Sequence, residues 1–256
     1  MPNVSFSPLY RPVKVSWVYP LDSDLSIIDR IQSKHARAFL RNLDTFMEAE
    51  GFSIEKGVCT QAEFDQFLQL YGERMDERGF EHLATQQWFD LKQTEGKTIE
   101  KIFIYQNHKL VGAKIITAKN FEFRSSYKAN RQLPIFSKLR NASLGLVLDY
   151  LMLEEYMKRS PTLLTAGTSR NLFGVINNPG YLIFKLRMGY IPSVQNEATV
   201  FQQTTDMPKK PFWFSFLSQA PKTQQPLSLY GFGDLEQFSQ KNELEKLITV
   251  NQLSDD

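Results

Sequence analysis

The stretch LSIIDRIQSKHARAFLRNLDTFMEAEG carries apolar residues at helical spacing. Ile27, Ile28, Ile31, Ala38, Phe39, Leu43 and Phe46 fall near one stripe, and Gly51 supplies a stop. FSIEKGV then alternates as a strand does. In TQAEFDQFLQLYGERMDERG, Thr60 and Glu63 have the spacing of a capping box, and Phe64, Phe67, Leu68 and Tyr71 make an apolar face. A shorter helix is predicted in LATQQWFDLKQT. KIFIYQ, KLVGAKIITAK and NFEFRSSYKA read as the antiparallel strands of a meander with a turn at Asn107-His108. Residues 143–158 read as a helix and TLLTAGTS as a buried strand. NPGYLIFKLRMG reads as a short helix with Pro179 in its first turn and Gly189 beyond its end. EATVFQQ and PFWFSFL are the expected closing strands, and GDLEQFSQKNELEKLITV a terminal helix starting at Gly233 or Asp234. Residues 1–24, rich in aromatics, Pro and Ser, read as an N-terminal arm, either extended over another surface or a flexible lead-in. This element order predicts a mixed α/β layer with helices on both faces.

Composition narrows the function classes. The 256 residues suffice for one large domain or two small ones, and a 42% hydrophobic content with 20 Phe allows a sizeable core. A net charge of +2 leaves no strong nucleic-acid footprint. A single cysteine, Cys59, excludes an internal disulfide framework and a Cys-rich metal site, and reads as a packing residue. The three histidines stand at unrelated spacings, so no metal is expected. No apolar run reaches membrane-spanning length, and the N-terminus lacks the apolar segment of a secretion signal, so a cytoplasmic location is expected.

One helix start is chemically unusual. SKLRNASLGLVLDYLMLEEYMKRS enters its apolar pattern through Lys138, Leu139, Arg140, Asn141, Ala142, Ser143, Leu144 and Gly145. A helix start ordinarily favours Asp or Glu, which complement the positive end of the dipole. Two cations and several small residues suit a bound anion instead. Taken alone, the stretch is better read as a loop with Asn141 or Ser143 as an ordinary N-cap.

Arg140-Asn-Ala-Ser143-Leu-Gly145 resembles the pyrophosphate-binding motif of the GNAT acyltransferase superfamily, Arg/Gln-x-x-Gly-x-Gly/Ala, with Ser in place of the first Gly. The element order resembles that superfamily too. A second resemblance, over about residues 33–200, is to its Fem-type branch, which includes the peptidoglycan-bridge aminoacyltransferases. It rests on the LDYLMLEEYMKRS helix before a strand and on a Gly-Thr/Ser turn at Gly167-Thr168-Ser169-Arg170. Phe184-Lys185 ahead of Gly189-Tyr190, and the upstream basic helix, strand and FDQFLQLY helix, complete it. The resemblance implies a GNAT-like mixed, mostly antiparallel central sheet. An acyltransferase domain is expected at 25–204, with a strand and helix in 205–256 completing it; residues 1–24 and 205–256 themselves match nothing in the resemblance. Acyl-coenzyme A would be the co-substrate, held through Lys138, Arg140, Asn141, Ala142, Ser143, Leu144 and Gly145. Small residues there let backbone N–H groups approach phosphate closely.

The resemblance also implies roles further along. Many members carry a Tyr as general acid where Phe184 stands here, and Lys185 matches a Fem-type lysine that stabilises charge at the reacting centre. Its other reading is a solvated helix lysine. Tyr181 and Tyr190 are reserve acids or packing aromatics. His82, with Glu81, sits in a loop that borders the acceptor cleft in the related fold. Thr168, Ser169, Arg170 and Phe184 would line the substrate, or form a simple turn. His35, Lys34, Arg37 and Arg41 read as an anion contact or as a solvated basic face beside Asp44 and Glu48.

Three functions stay open. The first is an N-acyltransferase that moves an acyl group from acyl-coenzyme A, or from an acyl carrier protein, to the amine of an amino acid, peptide or amino sugar. The second is a Fem-like transferase using aminoacyl-tRNA, the one reading that needs nucleic acid. The third is a non-catalytic binding module that retains the fold.

Overall fold

The computed structural model describes residues 9–22, 24–170, 179–194, 201–204, 213–217, 227–231 and 234–253. In chain order the elements are β1 (Leu9–Pro12), β2 (Lys14–Val18), α1 (Ile27–Arg30), α2 (Lys34–Arg41), α3 (Leu43–Ala49), β3 (Phe52–Val58), α4 (Gln61–Asp76) and α5 (Gln86–Thr94). Then follow β4 (Thr98–Gln106), β5 (Lys109–Lys119), β6 (Glu122–Asn130), α6 (Pro134–Ser137), α7 (Leu144–Met157), β7 (Leu163–Arg170) and α8 (Pro179–Arg187). The chain closes with β8 (Ile191–Ser193), β9 (Phe201–Thr204), β10 (Trp213–Leu217), β11 (Ser228–Gly231), α9 (Leu235–Asn242) and β12 (Val250–Gln252). Two compact units result, Leu21–Thr165 and Met1–Pro20 with Ala166–Asp256.

In the larger unit β3, β4, β5 and β6 are consecutive antiparallel neighbours, and β6 pairs in parallel with the first residues of β7. Helices cover both faces, as the pattern predicts. On one face Phe64 and Phe67 of α4 and Phe89 of α5 pack with Ile99, Phe103, Ala113 and Ile115. On the other lies α7, whose Leu144 and Leu148 stand so close to Gly112 that a Cβ there would sit 2.8 Å from Leu144 Cδ2. Because both faces are covered, β4 and β5 are buried almost throughout instead of alternating.

The capping box forms as its spacing predicts. The Thr60 side chain accepts from the Glu63 N–H, and Glu63 Oε2 accepts from the Thr60 N–H at 2.8 Å. The helical stretch 27–49 is broken into three helices. Ile31 and Ser33 take extended backbone angles, and Asn42 ends α2 while opening α3. The predicted stripe is kept only in part: Ala36, Leu40, Leu43 and Met47 are buried and Ala38 is exposed, while Phe39 and Phe46 meet each other and Phe136 at 5.1–6.1 Å.

In the smaller unit the strands run β12-β11-β10-β1-β9, and β2 pairs separately with β8. Residues 9–18, expected as part of an arm, are two strands, with β1 hydrogen-bonded on both edges to β9 and β10. The terminal helix is shorter than its pattern. It starts after Asp234, ends at Asn242 where Glu243 turns left-handed, and is followed by a 3-10 turn and β12. The turn expected at Gly167–Arg170 is also corrected: strand β7 runs through Arg170, with Gly167 at φ 84°. Thr and Ser tolerate strand backbone, so their presence did not distinguish turn from strand.

Candidate functional site

The connection from β6 to α7 is anchored by Phe136 of α6, which packs under Phe39, Phe46 and Phe52. Beyond it Lys138, Arg140, Asn141 and Ser143 are exposed. Of the two candidate caps, Ser143 is the one used: it is extended, at φ −163° and ψ 157°, and its Oγ accepts from the Leu146 N–H at 3.1 Å. By helix geometry the N–H groups of Leu144 and Gly145 have no intrahelical acceptor. The first turn of α7 holds no acidic residue.

Asn141 has a different task. It sits in the left-handed region at φ 58°, and its Nδ2 donates to Ser33 Oγ at 3.0 Å. Ser33 is itself the N-cap of α2, whose first turn is also free of acid and carries Lys34 and His35. The hydrogen bond therefore ties together two helix starts that lie 108 residues apart. Both dipole ends, Lys34, Lys138 and Arg140 concentrate positive potential there. The other two cations of the basic stripe are engaged within the chain. Arg37 donates to the Ile31 carbonyl at 2.5 Å, and Arg41 pairs with Asp29 at 2.8 Å.

A buried charge cluster lies beneath the first turns of α7. Lys114 of β5 and Asp149 of α7 are both fully buried and paired with each other. Lys128 of β6 donates to Asp149 Oδ2 at 2.9 Å and to the Gly145 carbonyl at 3.3 Å. Burial drops the Lys114 ammonium to about 8, against the pull of Asp149, with Lys128 adding to the drop. This cluster is not among the residues expected from the sequence. Its signal was one charged residue in each of two apolar runs, Lys114 in LVGAKIITA and Asp149 in LGLVLDYLML. A second missed network uses the same face: Glu100 accepts from the Tyr156 hydroxyl at 2.9 Å and from Arg159.

The parallel pairing of β6 with β7 spans three residue pairs, Glu122–Leu163 to Arg124–Thr165. His82 is not brought to the α7 start. It sits on the α4 side of the sheet, where its Nε2 meets Asp76 Oδ1 at 2.7 Å and its ring meets Tyr71 edge-on. Its loop is held by Tyr71, whose hydroxyl accepts from the Leu83 N–H, and by Tyr127, whose hydroxyl donates to the Leu83 carbonyl at 2.8 Å.

In the smaller unit Lys185 is only 2% exposed, so it is not a solvated helix lysine. Its Nζ lies over the rings of Tyr190, Tyr181 and Phe184 at 4.8, 5.2 and 5.5 Å. Tyr181 is 39% exposed and meets Trp17 edge-on. Three of the expected site residues, Lys185, Tyr181 and Phe184, are therefore brought together. Thr168 is exposed on β7, and the side chains of Ser169 and Arg170 lie outside the described residues. Cys59 is buried, and burial with the nearby Glu63 pushes its thiol up to about 12, so it packs and does not react. Among the described residues no cluster of His, Cys, Asp and Glu could hold a metal, and no helix is long and apolar enough to cross a membrane.

No family model matches the sequence, and no curated protein matches it. Solved structures do resemble it. FemX superposes with a TM-score of 0.50 at 10% identity, covering 71% of this chain and 60% of FemX. L-PGS from Bacillus licheniformis gives a TM-score of 0.47 at 13% identity, over 72% of this chain and 58% of that one. A tandem GNAT protein from the clavulanic acid biosynthesis pathway gives 0.43 at 12% identity, over 71% and 51%. The chain thus spans about three fifths of the length of FemX and L-PGS. The likeness is one of fold: the chain has a GNAT-like mixed α/β fold, as its element order implied.

Proposed function

We propose that the chain is an acyltransferase whose donor is a phosphopantetheine thioester, acyl-coenzyme A before an acyl carrier protein, and whose acceptor is an amine. The observation that carries this reading is the joined pair of helix starts, capped by Ser143 and Ser33 and flanked by Lys138, Arg140 and Lys34 without an acid in either first turn. The pyrophosphate would take the N–H groups of Leu144 and Gly145 and the fork of Arg140. The second start, with Lys34 and His35, suits a further phosphate. Coenzyme A has one on its ribose, whereas the arm of a carrier protein does not.

The backbone of β6 beyond Arg124, where its pairing with β7 ends, suits the amide groups of a pantetheine arm. In the reaction the amine nitrogen attacks the thioester carbonyl carbon, and the C=O electrons move onto oxygen. Backbone N–H groups stabilise that oxyanion. Its collapse breaks the C–S bond, releases the thiolate, and leaves the nitrogen to lose its proton. For Lys185 the reading rests on the Fem-type resemblance, which makes it a stabiliser of developing negative charge; its own surroundings in the smaller unit are dry and aromatic, where a charge acts more strongly than in water.

The test is thermal unfolding with coenzyme A and its acetyl, octanoyl and palmitoyl thioesters. A ligand at about 100 times its Kd adds about 2.7 kcal/mol to the native state and raises Tm accordingly. Arg140→Glu should abolish the rise. Dephospho-coenzyme A should bind more weakly than coenzyme A, and Lys34→Ala should erase that difference. No rise with any thioester, together with salt-sensitive tRNA binding, would replace this donor with aminoacyl-tRNA. No rise and no tRNA binding would leave a binding module without the chemistry.

A further inference from the structure

A pocket of about 490 Å3 opens on the α4 side of the larger unit's sheet, on the face opposite α7. Three local departures from regular structure meet at it. First, β5 bulges at Val111, because Ile104 pairs with Gly112 while Tyr105 pairs with Leu110. The bulge resets the alternation, turning Leu110 to the side of Ala113, where it forms the pocket floor with Leu70. Second, His108 lines the pocket from the hairpin tip in a left-handed conformation, φ 61°, which a residue with a Cβ adopts at some cost. Third, Arg131 lines it too, and its buried Nε has no hydrogen-bond partner although its other end pairs with Glu73.

The lining has a definite chemistry. Gln66 and Gln69 of α4 offer amides that donate and accept, Ser53 stands opposite Tyr105 in the β3–β4 register, and the Tyr105 hydroxyl reaches Gln66 Oε1 at 3.5 Å. These four groups suit hydroxyls, which also donate and accept. The apolar floor and the Tyr105 ring suit the C–H face of a saturated ring. Glu55 shares Lys101 with Glu63, and Arg131 is held by Glu73, while Lys109 at the mouth pairs with no carboxylate among the described residues. We propose that this pocket is a second ligand site, for a small polyhydroxylated acid of monosaccharide to disaccharide size. Its hydroxyls bind Gln66, Gln69, Ser53 and Tyr105, and its carboxylate binds Lys109.

This inference does not rest on the donor reading, since the two sites use opposite faces of the sheet. The test is an amide NMR titration of the full chain with D-glucuronate, D-glucose and acetate. Glucuronate should shift the amides of residues 53–55, 66–70 and 105–110 with a Kd in or below the range of about 1–10 mM. Glucose and acetate, each carrying half the chemistry, should bind at least about tenfold more weakly. Lys109→Ala and Gln69→Leu, both exposed positions, should each cost glucuronate about tenfold while leaving the rest of the spectrum in place. Shifts that are absent, equal for all three probes, or unchanged in both variants would overturn the proposal. Coenzyme A added to the same sample reports separately on residues 138–146, so failure of either site is visible without the other.

Discussion

Asp149→Asn should destabilise the protein by about 3–4 kcal/mol at pH 7, and the deficit should depend on pH in a set direction. Asp149 is a carboxylate between two ammonium groups, Lys114 and Lys128. Lys128 keeps 23% side-chain exposure and can turn toward water, whereas Lys114 has 0% and cannot. Lys114 already titrates at about 8 in the fold against an ordinary 10.5. Without Asp149 it enters the fold neutral, which at pH 7 costs about 1.4 kcal/mol more than the present state, one pH unit below 8. The lost charge-assisted hydrogen bond from Lys128 adds about 1.5–3 kcal/mol. The sum agrees with the about 3–5 kcal/mol typical of a buried pair stripped of one partner.

The sign follows from proton counting. In the variant the unfolded state binds one proton more than the native state, so stability rises with pH. In the wild-type chain Lys114 is protonated in both states below about 8, so it contributes no slope there. The deficit should therefore narrow by about 1.4 kcal/mol per unit from pH 6 to 8 and stay level above. Urea unfolding followed by circular dichroism at pH 6, 7, 8 and 9 measures it. A companion variant, Lys114→Met with Asp149→Leu, should return to within about 1 kcal/mol of wild type, since an apolar replacement of a buried pair is often neutral. A deficit below about 1 kcal/mol, or one equal at pH 6 and pH 9, would refute the reasoning that Lys114 is charged and dry.

Other outcomes follow from single contacts. Gly112→Ala should cost about 1–3 kcal/mol in urea unfolding and weaken coenzyme A binding, because the new Cβ meets Leu144, the first residue of α7. Cys59 should resist a thiol reagent at neutral pH in the native protein and react fully in urea; rapid native labelling would contradict its burial and raised pKa. Lys185→Met, which keeps the side chain's bulk and loses its charge, should lower acyl-transfer turnover with donor affinity unchanged. An unchanged rate would remove Lys185 from the reaction.

What the sequence disclosed is what neighbours along the chain can encode. Thr60 and Glu63 find each other three residues apart, and Asn107-His108 closes a hairpin between two apolar, strand-like runs, so both are read from a short window. The breaks at Ile31–Ser33 and Asn42 were not legible in the apolar spacing, and they change which residues are buried: Ala36, Leu40, Leu43 and Met47 face inward and Ala38 outward. The terminal helix was overextended for the same reason: Leu244 stays buried in a 3-10 turn after the helix has ended. Lys114 and Asp149 stood out only as charges in apolar company, with no local hint that they were partners.

The candidate donor site shows the same limit and why it matters for function. Ser143 and Gly145 were legible as small residues at a helix start, but a helix start alone is an ordinary feature, since every helix leaves N–H groups unpaired there. What sets this one apart is the contact from Asn141 to Ser33, which no periodicity within either segment encodes. That contact brings a second acid-free helix start and Lys34 to the first. Neither start carries the carboxylate that would neutralise it, and Lys128 and Lys114 together outnumber Asp149 beneath α7. A surplus of positive charge held at one place in the free protein works against its own stability, because like charges repel and buried ones lose their hydration. A polyanion relieves that repulsion on binding. Stability gained from coenzyme A should therefore fall steeply with added salt, by screening, in wild type and less steeply in Lys34→Ala, which removes one of the charges.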